Sequence, residues 1–288
     1  MTRIAAFLLV VLLLAPPVVQ AQQTDAEQER AFQEELAQPR PIEALNSVWI
    51  EELTWMEVRD ALSEGKTTAI ISTGGVEQNG PYLATGKHNV VLQGACEGIA
   101  RELGDALCAP IIKLVPEGGI EEPTGHMRYP GTLSLREETF RMVLTDVAMS
   151  LAAHGFTDIV LIGDSGGNQQ GMAAVAEALN SRWSGEPTQA HYVSEFYTYA
   201  DVIAYMENDL GVRQTEDDGI HDDPAITALM MVTDPEAVRY DQRVAAGHAT
   251  INGVSIHPKE DAVELGRKLM DFRVERTVEA IRASRGGG

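Results

Sequence analysis

The sequence predicts an α/β fold in which a mostly parallel β-sheet is flanked by helices on both faces. Short apolar runs typical of buried strands alternate along the chain with longer amphipathic stretches typical of helices. Such alternation requires crossover connections, which place the strands parallel and cover the sheet on both sides. In sheets of this kind the ligand site lies at the carboxyl ends of the strands.

The elements follow one another in a regular order between residues 44 and 288, which we interpret as a single domain. Each predicted strand is a short run of apolar or β-branched residues, and Pro110 and Pro116 bound the second one. Strands are predicted over 67–73, 109–115, 158–162 and 190–197, and helices over 54–62, 89–103, 137–154, 168–183 and 259–282.

The N-terminus has the features of a secretory signal peptide. Arg3 precedes an uninterrupted apolar run over 4–15, which is too short to span a bilayer comfortably, and small residues follow at 19–21. We therefore expect a signal peptide over 1–21 and a periplasmic or secreted protein with no membrane segment after cleavage. Residues 22–43 are polar and end in two prolines, which predicts a solvated leader with one short helix.

Composition and charge exclude several classes of function. Apolar residues make up 44% of the 288 residues, which is ordinary for a globular chain. Lysine and arginine number 22 against 43 acidic residues, a net charge of −21, so the surface repels nucleic acids and anionic lipids. The two cysteines, Cys96 and Cys108, are too few for a zinc finger and leave open one disulfide or two buried thiols.

Three predicted strand ends are followed by segments rich in glycine and polar residues. They cover 74–89, 125–135 and 163–168. Glycine permits tight turns and a close approach of the backbone to a ligand, so these segments are the candidate site.

The same segments, in the same order, resemble the motifs of the creatininase (creatinine amidohydrolase) family. Residues 77–88 read Glu-Gln-Asn-Gly-Pro-Tyr-Leu-Ala-Thr-Gly-Lys-His, close to that family's Glu-Gln-His-Gly-Pro-His-Leu-Pro-Leu-Gly-Thr-Asp. Residues 126–135 match His-x-x-Phe-Pro-Gly-Thr-Ile-Ser-Leu almost completely, and 163–168 align with Asn-Gly-His-Gly-Gly-Asn. Residues 221–223 and 253–258 resemble two further motifs of the family more weakly.

This resemblance implies an amidohydrolase with two zinc or manganese ions, acting on a small linear or cyclic amide. In the family the metals activate a bridging water and polarise the carbonyl. Members often assemble as hexamers, so the resemblance also implies a homo-oligomer.

The chain departs from the family at most of the metal ligands. Glu77 is retained, whereas Asn79, His88 and Ser165 stand at three other ligand positions. A further family glutamate aligns with Ile226, and in other members with Gly167. An amide oxygen and a hydroxyl are poor zinc ligands, which argues against the two-metal site.

We therefore predict an altered, single-metal or metal-poor site, with the metal on Glu77, His88 and Asp164. Glu77 would also orient water and His221 would carry the proton to the leaving nitrogen. For substrate binding the prediction is Asn79, His126 and Asn168.

Two other functions remain open at this point. The loss of ligands fits a non-catalytic protein that kept the pocket to bind a ligand. Alternatively, residues 163–167 read Gly-Asp-Ser-Gly-Gly between a strand and a helix, which resembles a nucleophile elbow. In that case Ser165 would be the nucleophile of a metal-independent hydrolase.

Overall fold

A computed structural model describes residues 24–286. The predicted signal peptide and the first two leader residues lie outside them. The chain divides into two compact units, residues 1–43 and 44–288. In the first unit, helix α1 (Asp25–Leu36) begins at a capping box, in which Thr24 and Glu27 exchange side-chain and main-chain hydrogen bonds. None of its residues is buried.

The second unit is built on a four-stranded sheet in the order β2-β1-β3-β4, and every neighbouring pair is parallel. The predicted fold class is thereby confirmed. The strands are β1 (Thr68–Thr73), β2 (Ala106–Cys108), β3 (Asp158–Gly163) and β4 (Gln189–Tyr192). A separate antiparallel hairpin joins β5 (Thr250–Ile251) to β6 (Val254–Ser255).

Helices cover both faces of the sheet. Alternate residues of β1 point to opposite faces, so Ile70 packs into one apolar core and Ile71 into the other. The helices are α2 (Trp55–Ser63), α3 (Lys87–Leu103), α4 (Glu137–Ala153), α5 (Gln169–Arg182), α6 (Tyr199–Asn208), α7 (Pro224–Thr233), α8 (Tyr240–Ala245) and α9 (Lys259–Gly286). The first core receives α3, α6, α7 and α9, and the second receives α4 and α5.

The second strand lies earlier than predicted, and the assignment to 109–115 is wrong. The N–H groups of Cys108 and Ala109 donate to the carbonyls of Val48 and Ile70. Pro110 has no N–H to donate, and the main-chain bonds to β1 resume only at Ile112, whose N–H donates to the carbonyl of Ser72. Residues 109–116 therefore form an irregular segment alongside β1. The fourth strand is shorter than predicted, since a 3-10 turn replaces it over Ser194–Tyr197.

The question left open for the two cysteines has an answer in the structure. Cys96 of α3 and Cys108 of β2 form a buried disulfide. Between residues 24 and 286, no helix combines the length and apolarity that crossing a membrane requires.

Candidate active site

A cavity of about 560 Å³ opens at the carboxyl ends of β1 and β3. This is the position that the parallel-sheet rule indicates. Its walls come from the loops that follow β1 and β3, from the irregular segment after β2, and from the start of α7. Six predicted site residues line it: Glu77, His88, His126, Asp164, Ser165 and His221.

The carboxylate of Glu77 lies at the centre of this cavity and is 3% exposed. Its Oε1 accepts His88 Nε2 at 2.9 Å and lies 3.2 Å from Lys87 Nζ, while Oε2 is 3.0 Å from His126 Nε2. Burial by itself raises the pKa of this carboxyl, but the hydrogen bond and charge of His88, with Lys87 and His126, lower it overall. Glu77 is therefore a fixed anion.

A buried chain of polar groups supports Glu77 from behind. His88 Nδ1 bonds to Asp164 Oδ2 at 2.8 Å, and Arg273 of α9 bonds to the other oxygen of Asp164. Although burial lowers the pKa of His88, its bonds to Asp164 and Glu77 raise it overall. Both ring nitrogens are engaged by carboxylates, so His88 has no lone pair for a metal. The predicted ligands Glu77, His88 and Asp164 thus lie together, but as a hydrogen-bonded chain.

The two other imidazoles stand on the solvent side of Glu77. The rings of His126 and His221 stack with centroids 4.7 Å apart. His221 Nδ1 donates to the carbonyl of Gln78 at 2.8 Å, which leaves Nε2 as the nitrogen with a free lone pair. One ligand atom from each of Glu77, His126 and His221 lies within 4.8 Å of the others. This trio could hold a metal ion.

The ligand atoms available in the cavity fit one metal ion better than two. A carboxylate with two imidazoles matches the three-ligand sites that keep a fourth position for water. The two-metal set does not fit, because the Asn79 amide donates to the carbonyls of Glu77 and Ala84. A side chain at Gly167 would also place its Cβ 2.2 Å from the carbonyl oxygen of Pro116. The residues present fit one ion on Glu77, His126 and His221.

Ser165 does not have the surroundings of a nucleophile. Its backbone is extended (φ −106°, ψ 146°), whereas a nucleophile elbow requires a sharp, strained turn. Its Oγ has one hydrogen-bond partner within residues 24–286, Glu117 Oε2 at 3.5 Å, and no histidine. The nucleophile elbow therefore finds no support in this geometry, because the turn is unstrained and, among the described residues, no histidine contacts the hydroxyl.

Two of the residues predicted to bind substrate lie behind the cavity wall. Asn79 is 1% exposed and closes the loop after β1 through the main-chain bonds described above. The Asn168 amide donates to the carbonyls of Thr73 and Gly74 and to the Thr73 hydroxyl. Both amides hold the loops in shape. The third residue of this group, His126, does line the cavity.

Sequence reasoning missed three residues of the site. Lys87 directly precedes His88 in the first motif, and the rule about strand ends points to Glu117, which follows Val115 and Pro116. Arg273 is 109 residues from Asp164, and no local sequence pattern predicts the ion pair between them. Burial, followed by the charge of Glu77, raises the pKa of Glu117 to about 8.

Comparisons with known proteins identify a family and relatives of this sequence. A family model described as creatinine amidohydrolase matches residues 51–281. A creatinine amidohydrolase of Pseudomonas putida is 24% identical over 226 residues, which cover 75% of this chain and 83% of that protein.

Solved structures give the same result for the fold. A creatininase structure titled as the Mn form has a TM-score of 0.62 at 22% identity, covering 83% of this chain and 98% of its own. A creatininase variant of Zn-Zn type has a TM-score of 0.61 at 21% identity with the same coverage. A putative creatinine amidohydrolase of Bacteroides fragilis has a TM-score of 0.60 at 16% identity, covering 84% and 98%. Since the family model spans most of the sequence, the chain belongs to the creatininase family.

Proposed function

We propose that this protein hydrolyses a small linear or cyclic amide at a site that holds one divalent metal, zinc or manganese, on Glu77, His126 and His221. The observation that carries the proposal is the convergence of these three ligands at the strand ends. Family membership supports amide hydrolysis as the reaction, because the relatives are named creatinine amidohydrolases. When bound, such an ion supplies a water of lowered pKa and polarises a carbonyl.

Side chains of the cavity orient Glu77 and supply the proton that the reaction needs. Oε1 of Glu77 is held by Lys87 and His88, which leaves Oε2 directed at His126. Asp164 and Arg273 fix the His88 ring, so the orientation of Glu77 is set before any ligand arrives. His221 was the predicted proton carrier, but its Nδ1 is bonded to the carbonyl of Gln78, and the proposal uses its ring as a metal ligand. Glu117, on the cavity wall, offers a carboxyl group to the leaving nitrogen instead.

The test is metal content by mass spectrometry on untagged protein, combined with an amide hydrolysis panel. We expect about one zinc or manganese per chain, and its loss together with hydrolysis in Glu77→Ala, His126→Ala and His221→Ala. His154→Ala, which changes an exposed histidine outside the cavity, is the matched control and should keep both.

Each other result has a clear meaning. No metal after incubation with excess zinc and manganese would refute the metal site. Bound metal without hydrolysis of any amide would favour the non-catalytic ligand-binding protein.

Export and assembly belong to the same proposal. The predicted signal peptide supports export, as does the disulfide between Cys96 and Cys108, because disulfides persist in oxidising compartments. N-terminal sequencing of the mature protein should begin at Gln22, and an uncleaved N-terminus would contradict export. The homo-oligomer that the family resemblance implies is checked by analytical ultracentrifugation.

A further inference from the structure

We propose that Lys87 is a catalytic residue, whose ammonium group binds the carbonyl oxygen of the substrate amide and stabilises the negative charge that develops there. This inference rests on the proposed function, since it concerns the same reaction. Among residues 24–286 a single group of three candidate metal ligands is found, so the inference gives the role of a second metal ion, stabilising charge on the carbonyl oxygen, to a lysine.

The position of Lys87 is the first part of the argument. It is the first residue of α3, adjacent to His88, and the side chain is 6% exposed at the cavity wall. Its Nζ lies 3.2 Å from Glu77 Oε1, beside the trio of candidate ligands. Its charge also acts on Glu117 and Asp223, which line other parts of the cavity. The ammonium therefore lies within reach of a ligand bound at the trio.

The bonding of Lys87 is the second part. An ammonium group has three N–H donors, and within residues 24–286 its ion-pair partner is a single oxygen, Glu77 Oε1. Two donors are left for a ligand. The same oxygen also accepts a hydrogen bond from His88, which contributes more than Lys87 to stabilising Glu77 as an anion. A buried ammonium group is costly unless its donors are paired, and a substrate carbonyl oxygen would pair one of the two that remain.

The charges of the cavity are the third part. Besides Glu77, the carboxyl groups of Glu117, Asp164 and Asp223 line the same space. Attack on an amide carbonyl places negative charge on its oxygen, and the ionised carboxylates of Glu77 and Asp164 would oppose that charge. A fixed cation beside the reacting carbonyl stabilises it, as hydrogen-bond donors do in an oxyanion hole. Arg273 is not available for this purpose, because it is committed to Asp164 and to the carbonyl of Phe196.

The test compares Lys87→Met with wild type on the amide that the panel identifies, with Lys113→Met as control, since Lys113 is exposed and outside the cavity. We expect Lys87→Met to lower kcat about 10²- to 10³-fold, with KM changed little and metal content unchanged. Lys87→Gln, which keeps a polar N–H without the charge, should lose a similar factor and covers the case of a misfolded methionine variant. A kcat within threefold of wild type in either folded variant would overturn the proposal.

A binding measurement separates this inference from the proposed function. Methylphosphonate carries tetrahedral oxyanions, and its affinity is measured by calorimetry on zinc-loaded and chelator-treated protein. We expect Lys87→Met to weaken binding at least tenfold in both forms, whereas Lys113→Met should not. Equal affinity of Lys87→Met and wild type would reject the role of Lys87 even if the metal is present. If methylphosphonate binding depends on Lys87 in a protein that takes up no metal, the role of Lys87 is supported and the metal site is refuted.

Discussion

Two buried histidines lie at opposite ends of the same sheet and use both ring nitrogens in the same way. His88, at the carboxyl end, is bonded to Glu77 and Asp164. His191, at the amino end, is bonded to the Ser284 hydroxyl at 2.8 Å and to Asp158 Oδ1 at 3.1 Å. In the first case both partners are buried carboxylates, and in the second they are a hydroxyl and a partly exposed carboxylate.

The difference shows that the surroundings of a histidine decide its role more than its bonding pattern does. Ser284, His191 and Asp158 have the order of a serine–histidine–aspartate triad. However, Ser284 lies inside α9, where the main-chain N–H groups are used by the helix and cannot form an oxyanion hole. The amino-end network therefore ties α9 to the sheet. The carboxyl-end network instead ends at a buried anion, Glu77, whose Oε2 faces His126 in the candidate metal site.

The largest expected contrast is in the cost of removing one carboxylate charge from each network. Asp164→Asn leaves the buried guanidinium of Arg273 without its ion pair and should lower the free energy of unfolding by about 3–5 kcal/mol. Asp158→Asn is the matched change at the amino end. There Arg285 and solvent share the charge, so the expected loss is about 1 kcal/mol. Urea unfolding of both variants measures the contrast, and equal losses would contradict it.

The contrast also explains how much of the site the sequence could predict. Glu77, Asp164 and Ser165 follow their strands directly, so the strand-end rule finds them. His126 and His221 were predicted as separate functions, because their approach to Glu77 depends on two loops whose path no local pattern determines. Arg273 lies in the middle of the closing helix, where an arginine is ordinarily interpreted as exposed.

The fold was more predictable than the site for a physical reason. The sequence patterns of most elements match the layer in which they lie. Short apolar or β-branched runs form the buried strands β1 and β3, and longer amphipathic stretches form the covering helices α3, α4, α5 and α9. The second strand was misplaced because Ile111 and Ile112 continue the apolar run after Pro110, although the proline interrupts the ladder. Helix α7 was missed because nearly all of its residues are buried, and it therefore has no polar face to give a helical period.

A smaller effect is expected from Glu117, and it depends on pH. The raised pKa of Glu117 means that the folded protein keeps this proton above the ordinary value of 4.5, up to about 8. The stability that this proton provides is complete below about pH 4.5 and is lost as the pH rises through 8. Glu117→Gln carries no such proton.

Chelator-treated Glu117→Gln should therefore melt on the order of 3 °C above wild type at pH 8.5, and the difference should shrink towards pH 5. Thermal unfolding across that range measures the effect. Glu186→Gln, which changes an acidic residue on the exposed turn before β4, is the control and should show no such trend. A constant difference at all pH values would mean that Glu117 is not the group that titrates.

The smallest effect is expected from Ser284→Ala at the amino end. The variant removes one hydrogen bond to His191 Nδ1 from an exposed serine, which should lower the free energy of unfolding by about 0.5–1 kcal/mol. Metal content and amide hydrolysis should stay at the wild-type level, because the bond is at the far end of the sheet from Glu77. Fluorophosphonate treatment of wild type should label neither Ser284 nor Ser165. Covalent labelling of Ser284 that disappears in Ser284→Ala would make the amino-end network a second reactive site and would remove the distinction between the two histidines.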